Sequence, residues 1–484
     1  MTGLSTSPDP FHSALKLIAQ TVAGSVWQGK VFAAGGMVRD QLMGNATKDI
    51  DLTIAAPQGG IEFANWLAIR LGIHKDGSNP VIFPRFGTAK LSLAGISHNG
   101  IDLSPVDIET VMTRKEYYSE DSRKPEVEYG TPEEDVLRRD LTINALLMDI
   151  VSGEILDYTG KGVADIKSKT LRTPLDPDVT FTDDPLRMLR VIRFAVKLGW
   201  GIPFSMIKAL RRNAKTLRKI SAERKRDELS KILLSSHPHT GVRLLEFTGL
   251  NAFVIPEFQG MVGMSQNNFH EWTAERHTYE VLKNSPAELT IRLAALLHDI
   301  GKVETRKVEN GHVSFLGHET RSADLSEEIL RRLKYPNEIT DAVVALVQHH
   351  MRTKQFGTRG EKASDKSLRK LMHELGDNLN PALQLIHSDN ISHGNHPWPH
   401  NMPDQVPELK RRIADLGPIG KRLNLPIDGN EIIRILTEVD PKFKPGPIMQ
   451  KIYSAIEEEF LENPQLTNKQ AQEIVILTYR NTRS

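Results

Sequence analysis

VFAAGGMVRDQLMGNATKDIDLTI, residues 31–54, is the stretch of sequence that decides the fold of the region around it. A short apolar run leads into Gly35-Gly36, a helix-like segment begins at Met37, and a second strand-like run ends the stretch. Glycine permits positive φ and lets backbone N–H groups approach a phosphate closely. The stretch therefore predicts a strand, a phosphate-binding turn at Gly35 and Gly36, a helix and a second strand.

The end of this stretch alternates carboxylates with aliphatic residues. Asp49 and Asp51 flank Ile50, and because side chains along a strand point alternately to its two faces, both carboxylates lie on one face. Like charges held side by side repel each other unless a cation lies between them, and carboxylate oxygens suit magnesium. The pattern predicts that Asp49 and Asp51 bind magnesium and are catalytic residues for phosphoryl transfer. An ordinary exposed strand face is the alternative.

The composition is that of an ordinary folded protein, with 39% hydrophobic and 25% charged residues. A chain of 484 residues exceeds what one hydrophobic core usually organises, so several compact units are expected. The chain contains no cysteine, which excludes disulfides and thiolate ligands and leaves His, Asp and Glu to bind metals. No apolar run approaches bilayer-spanning length, and the first ten residues, MTGLSTSPDP, do not read as a leader. The sequence predicts a cytoplasmic location without membrane contact.

Positive charge is concentrated in one segment although the formal net charge is only +1. Residues 208–231 carry ten Lys or Arg against three acids, which predicts a phosphate-binding surface. The residues expected to contact phosphates are Lys215, Arg218, Lys219, Arg224 and Lys225. A solvated helix face is the alternative.

Secondary-structure signals change along the chain. Strand and helix patterns are mixed over residues 30–150, whereas helical periodicity dominates from residue 183, as in the apolar stripe Leu186, Leu189, Ile192 and Val196. Residues 353–365 and 392–407 read as loops. The chain is expected to have an α+β part followed by all-α parts.

Five short motifs follow one another in the first half of the chain. They are Gly35-Gly36-x-Val38-Arg39-Asp40 with Asp49-x-Asp51; RRDLTINA at 138–145; DYTGKGVAD at 157–165; DDPLR at 183–187; and Glu223-Arg224 with Glu228-Leu229-x-Lys231. In this order they resemble the class II CCA-adding tRNA nucleotidyltransferase and bacterial poly(A) polymerase family. Two positions depart from the family pattern, with Leu141 where Phe is usual and Asp183 where Glu is usual.

The resemblance implies a fold and a domain order. The expected fold class is an α+β nucleotidyltransferase (polymerase-beta-like) head with a small mixed sheet, followed by all-α neck, body, HD and tail regions. The expected boundaries are a head at 1–170, a helical neck and body for nucleobase selection and RNA binding at 171–255, an HD domain at 256–404, and a helical tail that contacts tRNA at 405–484. Residues 114–130 resemble the family's flexible loop, which helps the site to change from C to A addition.

A third catalytic carboxylate is usual in the wider superfamily of these polymerases. The strand-like run 106–111 carries Asp107 and Glu109 on one face. Glu109 is preferred because of its distance from the Arg-x-Glu-x-Tyr element that begins at Arg114. Asp102 is the alternative.

Nucleotide binding is assigned to a larger set. Asp184 and Arg187 can offer an acceptor and a planar donor to cytosine and adenine, which share a polarity opposite to that of uracil and guanine, so the protein itself acts as the template. An ordinary helix salt bridge is the alternative. The arginines suit triphosphate geometry, although some will brace Asp140 or Asp183, and Asn144 is expected either to bind ribose or to cap a turn. The predicted nucleotide-binding residues are Gly35, Gly36, Arg39, Arg138, Arg139, Asp140, Asn144, Asp184, Arg187, Arg190 and Arg193.

A second group of metal-binding residue types lies in the C-terminal half and comprises His277, His298, Asp299 and Asp389. The pair His298-Asp299 ends an apolar helix-like run and precedes Ile-Gly-Lys at 300–302, which resembles the HD phosphohydrolase superfamily. Such a ligand set can hold a divalent transition metal and activate water against a phosphate ester. An inactive scaffold is the alternative. His318, His349 and His350 are candidates for a second metal, with a structural or surface role as the alternative.

The resemblance implies addition of CCA to tRNA 3′ ends from CTP and ATP, without a nucleic-acid template, with magnesium and with release of pyrophosphate. CC-adding, A-adding and poly(A)-synthesising relatives are the alternatives within the family. Residues 83–90 lack the basic, His-containing element of bacterial poly(A) polymerases, which favours CCA addition. In an alternative of another class, the HD site acts as a phosphodiesterase or phosphatase and carries the principal activity. Protein partners remain unknown.

Overall fold

The computed structural model describes residues 9–46, 49–84, 87–117, 126–266, 271–356, 363–394, 404–419 and 423–483. These residues form two compact units, Met1–Pro256 and Glu257–Ser484. The finer division into head, neck and body, HD domain and tail stays a prediction. No helix in the described ranges combines the length and the apolar character that crossing a membrane would require.

The first unit is built around a seven-stranded sheet. The strands of this unit are β1 (Val31–Ala34), β2 (Ile50–Ile54), β3 (Val81–Phe83), β4 (Thr88–Ser92), β5 (Ser97–His98), β6 (Ile101–Asp102), β7 (Asp107–Met112), β8 (Arg114–Tyr117), β9 (Glu126–Tyr129), β10 (Leu147–Asp149) and β11 (Ile155–Leu156). The order of strands in the sheet is β11-β10-β1-β2-β7-β4-β3. Strands β2 and β7 are parallel, whereas the other neighbouring pairs are antiparallel. The predicted small mixed sheet is therefore confirmed.

The centre of the sheet follows the alternation of the sequence. Ile50, Leu52 and Ile54 of β2 are fully buried, and Asp51 between them is exposed. Thr53 departs from the pattern, since it is buried rather than exposed. Its hydroxyl oxygen lies 3.5 Å from Nη2 of Arg139, whose side chain covers this end of the strand.

Helices pack on the sheet and then take over the rest of the first unit. They are α1 (Pro10–Val22), α2 (Gly36–Leu42), α3 (Gly59–Arg70), α4 (Pro132–Leu137), α5 (Gly162–Ser168), α6 (Pro177–Asp183), α7 (Leu186–Leu198), α8 (Phe204–Asn213), α9 (Ala222–Leu233) and α10 (Pro238–Phe247). Helix α3 lies so close to β7 that a Cβ at Gly60 would be 2.9 Å from Cα of Val111. Helix α7 packs against α9 and α10, and its four stripe residues are buried, which confirms the predicted helix.

The second unit is almost entirely helical. Its elements are α11 (Ala274–Asn284), α12 (Leu289–Leu297), α13 (Lys302–Thr305), β12 (Lys307–Glu309), β13 (His312–Ser314), α14 (His318–Arg332), α15 (Asn337–His349), α16 (Asp365–Leu375), α17 (Leu379–Asn390), α18 (Val406–Leu416), α19 (Gly429–Val439), α20 (Ile448–Glu462) and α21 (Asn468–Arg483). Helix α12 lies among α11, α15 and α17. Helices α19 to α21 enclose a separate apolar cluster that includes Leu436, Ile456 and Val475.

Two segments differ from the sequence-based expectation. The ends of the predicted loop 114–130 form an antiparallel pair, with Arg114 opposite Tyr129; residues 118–125 lie outside the described ranges. The short pair β12 and β13 was not predicted. In both places the strands are only three or four residues long and mostly polar, too short for an alternation of apolar residues to indicate a strand. The predicted loops 353–365 and 392–407 are described only in part.

Candidate active site and metal centre

Three carboxylates meet on the exposed face of strands β2 and β7. The parallel register places Asp51 directly beside Glu109, and Asp49 immediately precedes β2. They line a pocket of about 440 Å³ whose walls are Phe11, Asp49, Ile50, Asp51, Lys90, Pro105, Asp107 and Glu109. The structure thus brings together the three residues that the sequence singled out as catalytic.

Asp51 is the most crowded of these carboxylates. Its side chain reaches solvent, but protein atoms closely surround the carboxylate; this partial burial raises its pKa, as do the charges of Glu109 and Asp49, while Arg139 acts in the opposite direction. A raised pKa means that the ionised form is unfavourable without a compensating cation. Oxygen donors that repel one another in this way fit a divalent cation.

The neighbouring acids have other partners. Asp107 lies 2.9 Å from Nζ of Lys90. Asp102 accepts hydrogen bonds from the backbone N–H and the hydroxyl of Ser104, which lower its pKa, and it lies in the small pair β5–β6 outside the pocket lining. The geometry therefore favours Glu109 over Asp102 as the third carboxylate.

The predicted glycine turn joins β1 to α2. Gly35 has φ of 65°, in the left-handed region, and donates its N–H to the carbonyl of Leu146. A Cβ at Gly35 would lie 3.0 Å from Nη1 of Arg139, so glycine also keeps space for that guanidinium. Gly36 begins α2.

Arg138 and Arg139 share a partner that the sequence reasoning missed. Asp135 is completely buried, and both guanidinium groups donate to its carboxylate, with Nη2 of Arg139 2.8 Å from Oδ2. Burial opposes ionisation of Asp135, but the charges of Arg139 and Arg138 lower its pKa. The available signal was the spacing of three and four residues from Asp135, across the end of α4.

Replacing Asp135 with asparagine is expected to lower the free energy of unfolding of the first unit by roughly 3 kcal/mol at pH 7, because two arginines lose a buried anion. Since the pKa of Asp135 is lowered by folding, its contribution is present above the unfolded pKa of about 4 and is lost as the pH falls through the folded pKa. Thermal unfolding followed by circular dichroism at pH 7 and in acid tests this difference. Asp178→Asn, at an exposed pair with Arg212, is the control and should have a much smaller effect. Equal stability of Asp135→Asn and the parent at pH 7 would contradict this account.

A hydrogen-bonded chain links the other predicted phosphate-binding residues. Buried Arg39 donates to Asp40 and, over 2.6 Å, to Oδ1 of Asn144. Asn144 donates to Asp140, which also accepts from Nε of Arg190 at 2.7 Å. Arg190 thus braces Asp140, and Asn144 links two charged pairs inside the protein.

Phe194 is a further residue that the sequence reasoning missed. Its ring lies 5.2 Å from the guanidinium carbon of Arg39, 5.8 Å from that of Arg190 and 4.7 Å from that of Arg193. Arg193 also donates to Glu228 at 3.0 Å. One aromatic ring on α7 therefore gathers three of the predicted triphosphate arginines. An isolated Phe in an apolar helix stripe carries no such signal.

Asp184 and Arg187 do not pair with each other through their side chains. Asp184 accepts from Nη2 of Arg224 at 2.8 Å, whereas Arg187 donates to the carbonyl of Thr180 at 3.1 Å. The helix salt bridge weighed as an alternative is therefore wrong for this pair. The reason is that both oxygens of the Asp184 carboxylate accept from other donors, Oδ1 from the backbone N–H of Leu186 and Oδ2 from Arg224.

The residues predicted to contact RNA are partly engaged within the protein. Lys215, Arg218 and Lys219 are exposed on a 3-10 helix, Ala214–Lys219. Arg224 holds Asp184, and Lys225 donates to the carbonyl of Phe253 at 3.2 Å.

The four predicted HD ligands converge in the second unit, and all are buried. Nε2 of His277 lies 2.9 Å from Oδ1 of Asp389 and 3.4 Å from Nε2 of His298. Nε2 of His298 lies 3.3 Å from Oδ2 of Asp299. The other oxygen of Asp299 lies 3.4 Å from Nε2 of His318. Asp299 thus contributes one carboxylate oxygen to each of two adjacent groups of donor atoms.

His350 completes the second group. Its Nε2 lies 3.3 Å from Nε2 of His318 and 3.9 Å from Oδ1 of Asp299. His349 is not in any of the donor groups found among the described residues, because adjacent helix positions point in different directions. Of the two neighbouring histidines, the structure places only His350 at the centre.

Backbone carbonyls orient these imidazoles. Nδ1 is paired with the carbonyl of Ser392 in His277, of Ala295 in His298, of Phe315 in His318 and of Val347 in His350. An Nδ1–H bonded to a carbonyl leaves the lone pair on Nε2, which is the nitrogen that faces the carboxylates. The donor set and its orientation fit a divalent metal.

The charged and titratable groups of the centre influence one another's pKa values. Burial opposes ionisation of Asp299, yet His298 and Lys302 hold its pKa well below the ordinary value. Burial also holds the pKa of His350 well below its ordinary value, so its imidazole is neutral. Burial also opposes the charged form of His298, but Asp299 and Asp389 raise its pKa, so a metal that binds there would displace a proton, because imidazole is a ligand in its neutral form.

Comparisons with known proteins agree with both centres. Three family models match: the poly(A) polymerase head domain at 31–172, the probable RNA and SrmB-binding site of polymerase A at 202–261, and the HD domain at 271–381. The CC-adding tRNA nucleotidyltransferase of Thermus thermophilus is 33% identical over 332 residues, which cover 66% of this chain and 68% of that protein. The chain belongs to the tRNA nucleotidyltransferase family. Its head and HD domains imply the use of divalent metals.

Other relatives of this tRNA nucleotidyltransferase are matched over different lengths. The mitochondrial CCA tRNA nucleotidyltransferase of Candida glabrata is 36% identical over 51% of this chain, and the chain spans only 48% of that relative. The solved CCA-adding enzyme of Bacillus stearothermophilus in complex with CTP has a TM-score of 0.65 and 22% identity over 98% of both chains. The predicted fold class, an α+β head followed by helical regions, is confirmed.

Proposed function

We propose that this protein adds CCA to tRNA 3′ ends from CTP and ATP, without a nucleic-acid template and with release of pyrophosphate. The observation that carries the proposal is the meeting of Asp49, Asp51 and Glu109 in one pocket of a tRNA nucleotidyltransferase head. Phosphoryl transfer needs several carboxylates close together to hold metal ions, whereas RNA binding alone needs only positive charge.

The head residues divide the work of nucleotidyl transfer. Asp49, Asp51 and Glu109 would hold magnesium, which when bound activates the RNA 3′ hydroxyl and neutralises phosphate charge. Arg139 is the arginine best placed for the triphosphate, because it lies beside Gly35 and acts electrostatically on Asp51. Arg39, Arg190 and Arg193, which lie around the ring of Phe194, would complete the binding of the triphosphate.

Nucleobase selection is assigned to Asp184 and Arg187. Arg224 donates to one oxygen of the Asp184 carboxylate and the backbone N–H of Leu186 donates to the other, so the direction of the carboxylate is fixed.

Asp184→Ala is expected to lower kcat/KM for CTP and ATP by roughly 100-fold and to reduce discrimination against UTP and GTP, because the acceptor for the exocyclic amino group is lost. Single-nucleotide incorporation with each of the four triphosphates measures both effects. Asp178→Ala, on the preceding helix, is the control; unchanged discrimination in Asp184→Ala would remove this residue from base selection.

We infer that tRNA lies against the helical part of the first unit. Lys215, Arg218 and Lys219 present exposed positive charge there, which suits the RNA backbone. The tail from residue 405 is assigned tRNA contact by position. A cytoplasmic location stays a prediction, since fungal relatives carry mitochondrial names.

Incubation of the purified protein with magnesium and a tRNA transcript ending at the discriminator base tests the function. CTP alone should add two residues and CTP with ATP three. Arrest after CC would identify a partial enzyme, as the name of the Thermus relative states for that protein. Open-ended A addition would identify a poly(A) polymerase, and no extension would overturn the proposal.

We also propose that the HD centre is a metal-dependent phosphohydrolase, favoured by its two adjacent donor groups. One group is His277, His298, Asp299 and Asp389; the other is Asp299, His318 and His350. These residues would hold divalent transition metals, which when bound supply an activated water for attack on a phosphate ester. Hydrolysis of bis-p-nitrophenyl phosphate with Mn²⁺, Co²⁺ or Ni²⁺ tests this activity, and its absence with each metal would leave the centre a scaffold.

A further inference from the structure

A fifth imidazole, which the sequence analysis did not single out, faces the HD centre. His393 follows Asp389 by four residues, just beyond the end of α17 at Asn390. Its Nε2 lies 3.9 Å from Oδ1 of Asp389, and its ring centroid is 5.0 Å from that of His277. The ligand atoms of these three residues all lie within 4.8 Å of one another.

The tautomer of His393 follows the pattern of the other imidazoles. Its Nδ1 is paired with the carbonyl of Asn390 at 3.3 Å, so its lone pair is on Nε2, the atom that faces Asp389. A carbonyl-oriented imidazole directed at a buried carboxylate matches the arrangement of the four metal-facing histidines.

The backbone holds this histidine in place from both sides. Ser392, the preceding residue, accepts from His277 through its carbonyl and bonds Ser388 and Asn284 through its hydroxyl. Gly394, the next residue, has φ of 91°, and a Cβ there would lie 2.7 Å from Cβ of Glu271. The chain therefore makes a close turn that only glycine fits, and the turn fixes the direction of His393.

We infer that His393 is an additional ligand of the metal held by His277 and Asp389, so that a third imidazole contributes to that position. Donor atoms about 2.1 Å from one cation are separated by roughly 3 to 4 Å. The two distances from Oδ1 of Asp389, 2.9 Å to Nε2 of His277 and 3.9 Å to Nε2 of His393, agree with such a separation. A nitrogen-rich position favours a transition metal over magnesium. The side chain of His393 is 13% exposed, more than the other ligands, so it lies on the side of the centre that is open to solvent.

The inference rests on the metal centre proposed above, and Co²⁺ binding separates the two. Titration of the full-length protein with Co²⁺, followed by visible absorption, should show that His393→Gln weakens binding by at least about tenfold and shifts the ligand-field band. His393→Asp, which restores a donor atom, should recover most of the affinity. His387→Gln, on α17 and paired with Asp404, is the matched control and should behave as the parent.

The Co²⁺ titration distinguishes the role of His393 from the existence of the metal centre. Unchanged Co²⁺ affinity and spectrum in His393→Gln would overturn the inference, even if hydrolytic activity fell, because the residue would then act on substrate. Failure of the parent to bind Co²⁺, with no difference from His298→Ala, would instead overturn the metal centre itself. Circular dichroism of each variant shows whether the fold is retained, and weak binding by a folded His393→Gln protein that His393→Asp restores supports the inference.

Discussion

Asp51→Asn is expected to reduce nucleotide addition to tRNA by at least about 1,000-fold, because the centre loses the charge of one of the carboxylates that would hold the metal. Partial burial, and then the charges of Glu109 and Asp49, raise the pKa of Asp51, so the neutral amide should be tolerated well in the metal-free protein. The variant should therefore be folded and at least as stable as the parent. Incorporation of radiolabelled CMP into a tRNA transcript measures the loss.

Asp102→Asn is the matched control for this change. Its carboxylate is held by Ser104 outside the pocket, so activity should stay within a few-fold of that of the parent. Glu109→Gln should resemble Asp51→Asn. If Asp102→Asn were inactive and Glu109→Gln active, the third carboxylate would have to be reassigned.

Asp299→Asn is expected to deplete the HD centre of metal and to reduce hydrolysis there while nucleotide addition continues. Its two oxygens face different donor groups, His298 on one side and His318 on the other, so one substitution affects both. The loss of negative charge should weaken binding at each position by at least tenfold, on the order of the effect of disturbing a metal-site partner. Metal content after dialysis against Mn²⁺ or Co²⁺, measured by mass spectrometry, gives the result.

The paired histidines supply the comparison for this second change. His350→Gln should lower metal content, whereas His349→Gln, one residue earlier, should leave it unchanged. Nucleotide addition to tRNA, measured in the same preparations, reports on the first unit. If Asp299→Asn retained as much metal as the parent, Asp299 could not be a ligand shared by the two donor groups.

Short-range patterns predicted the parts of the molecule that depend on them. The period-two alternation at Asp49 and Asp51 and the glycine turn before α2 express local backbone geometry, so the strand, the turn and the exposed carboxylate face of Asp51 could be derived from neighbouring residues. The stripe of α7 was readable for the same reason. Glu109 required a choice among three acids, and the parallel register of β2 and β7, a long-range property, is what favours it.

Long-range partners were beyond the sequence. Nothing near Asp184 indicates that Arg224, forty residues later, would hold it, and nothing near Phe194 indicates three guanidinium groups around its ring. His393 was missed for a related reason, since it lies in a segment rich in Pro, Asn and His that reads as a loop. Such contacts depend on tertiary packing, which a single chain does not encode in any fixed spacing.

The strand pairing of β2 with β7 makes catalysis sensitive to residues that touch no substrate. Asp51 and Glu109 owe their mutual position to backbone hydrogen bonds between two strands, and those strands are held in register by the buried Leu52 and Ile108. A cavity beneath either strand would let one strand shift against the other. The distance between the two carboxylates would then change, although each carboxylate keeps its place on its own strand. Substitutions in the interior of this sheet should therefore appear in evolution and in mutagenesis as slow enzymes before they appear as unstable ones.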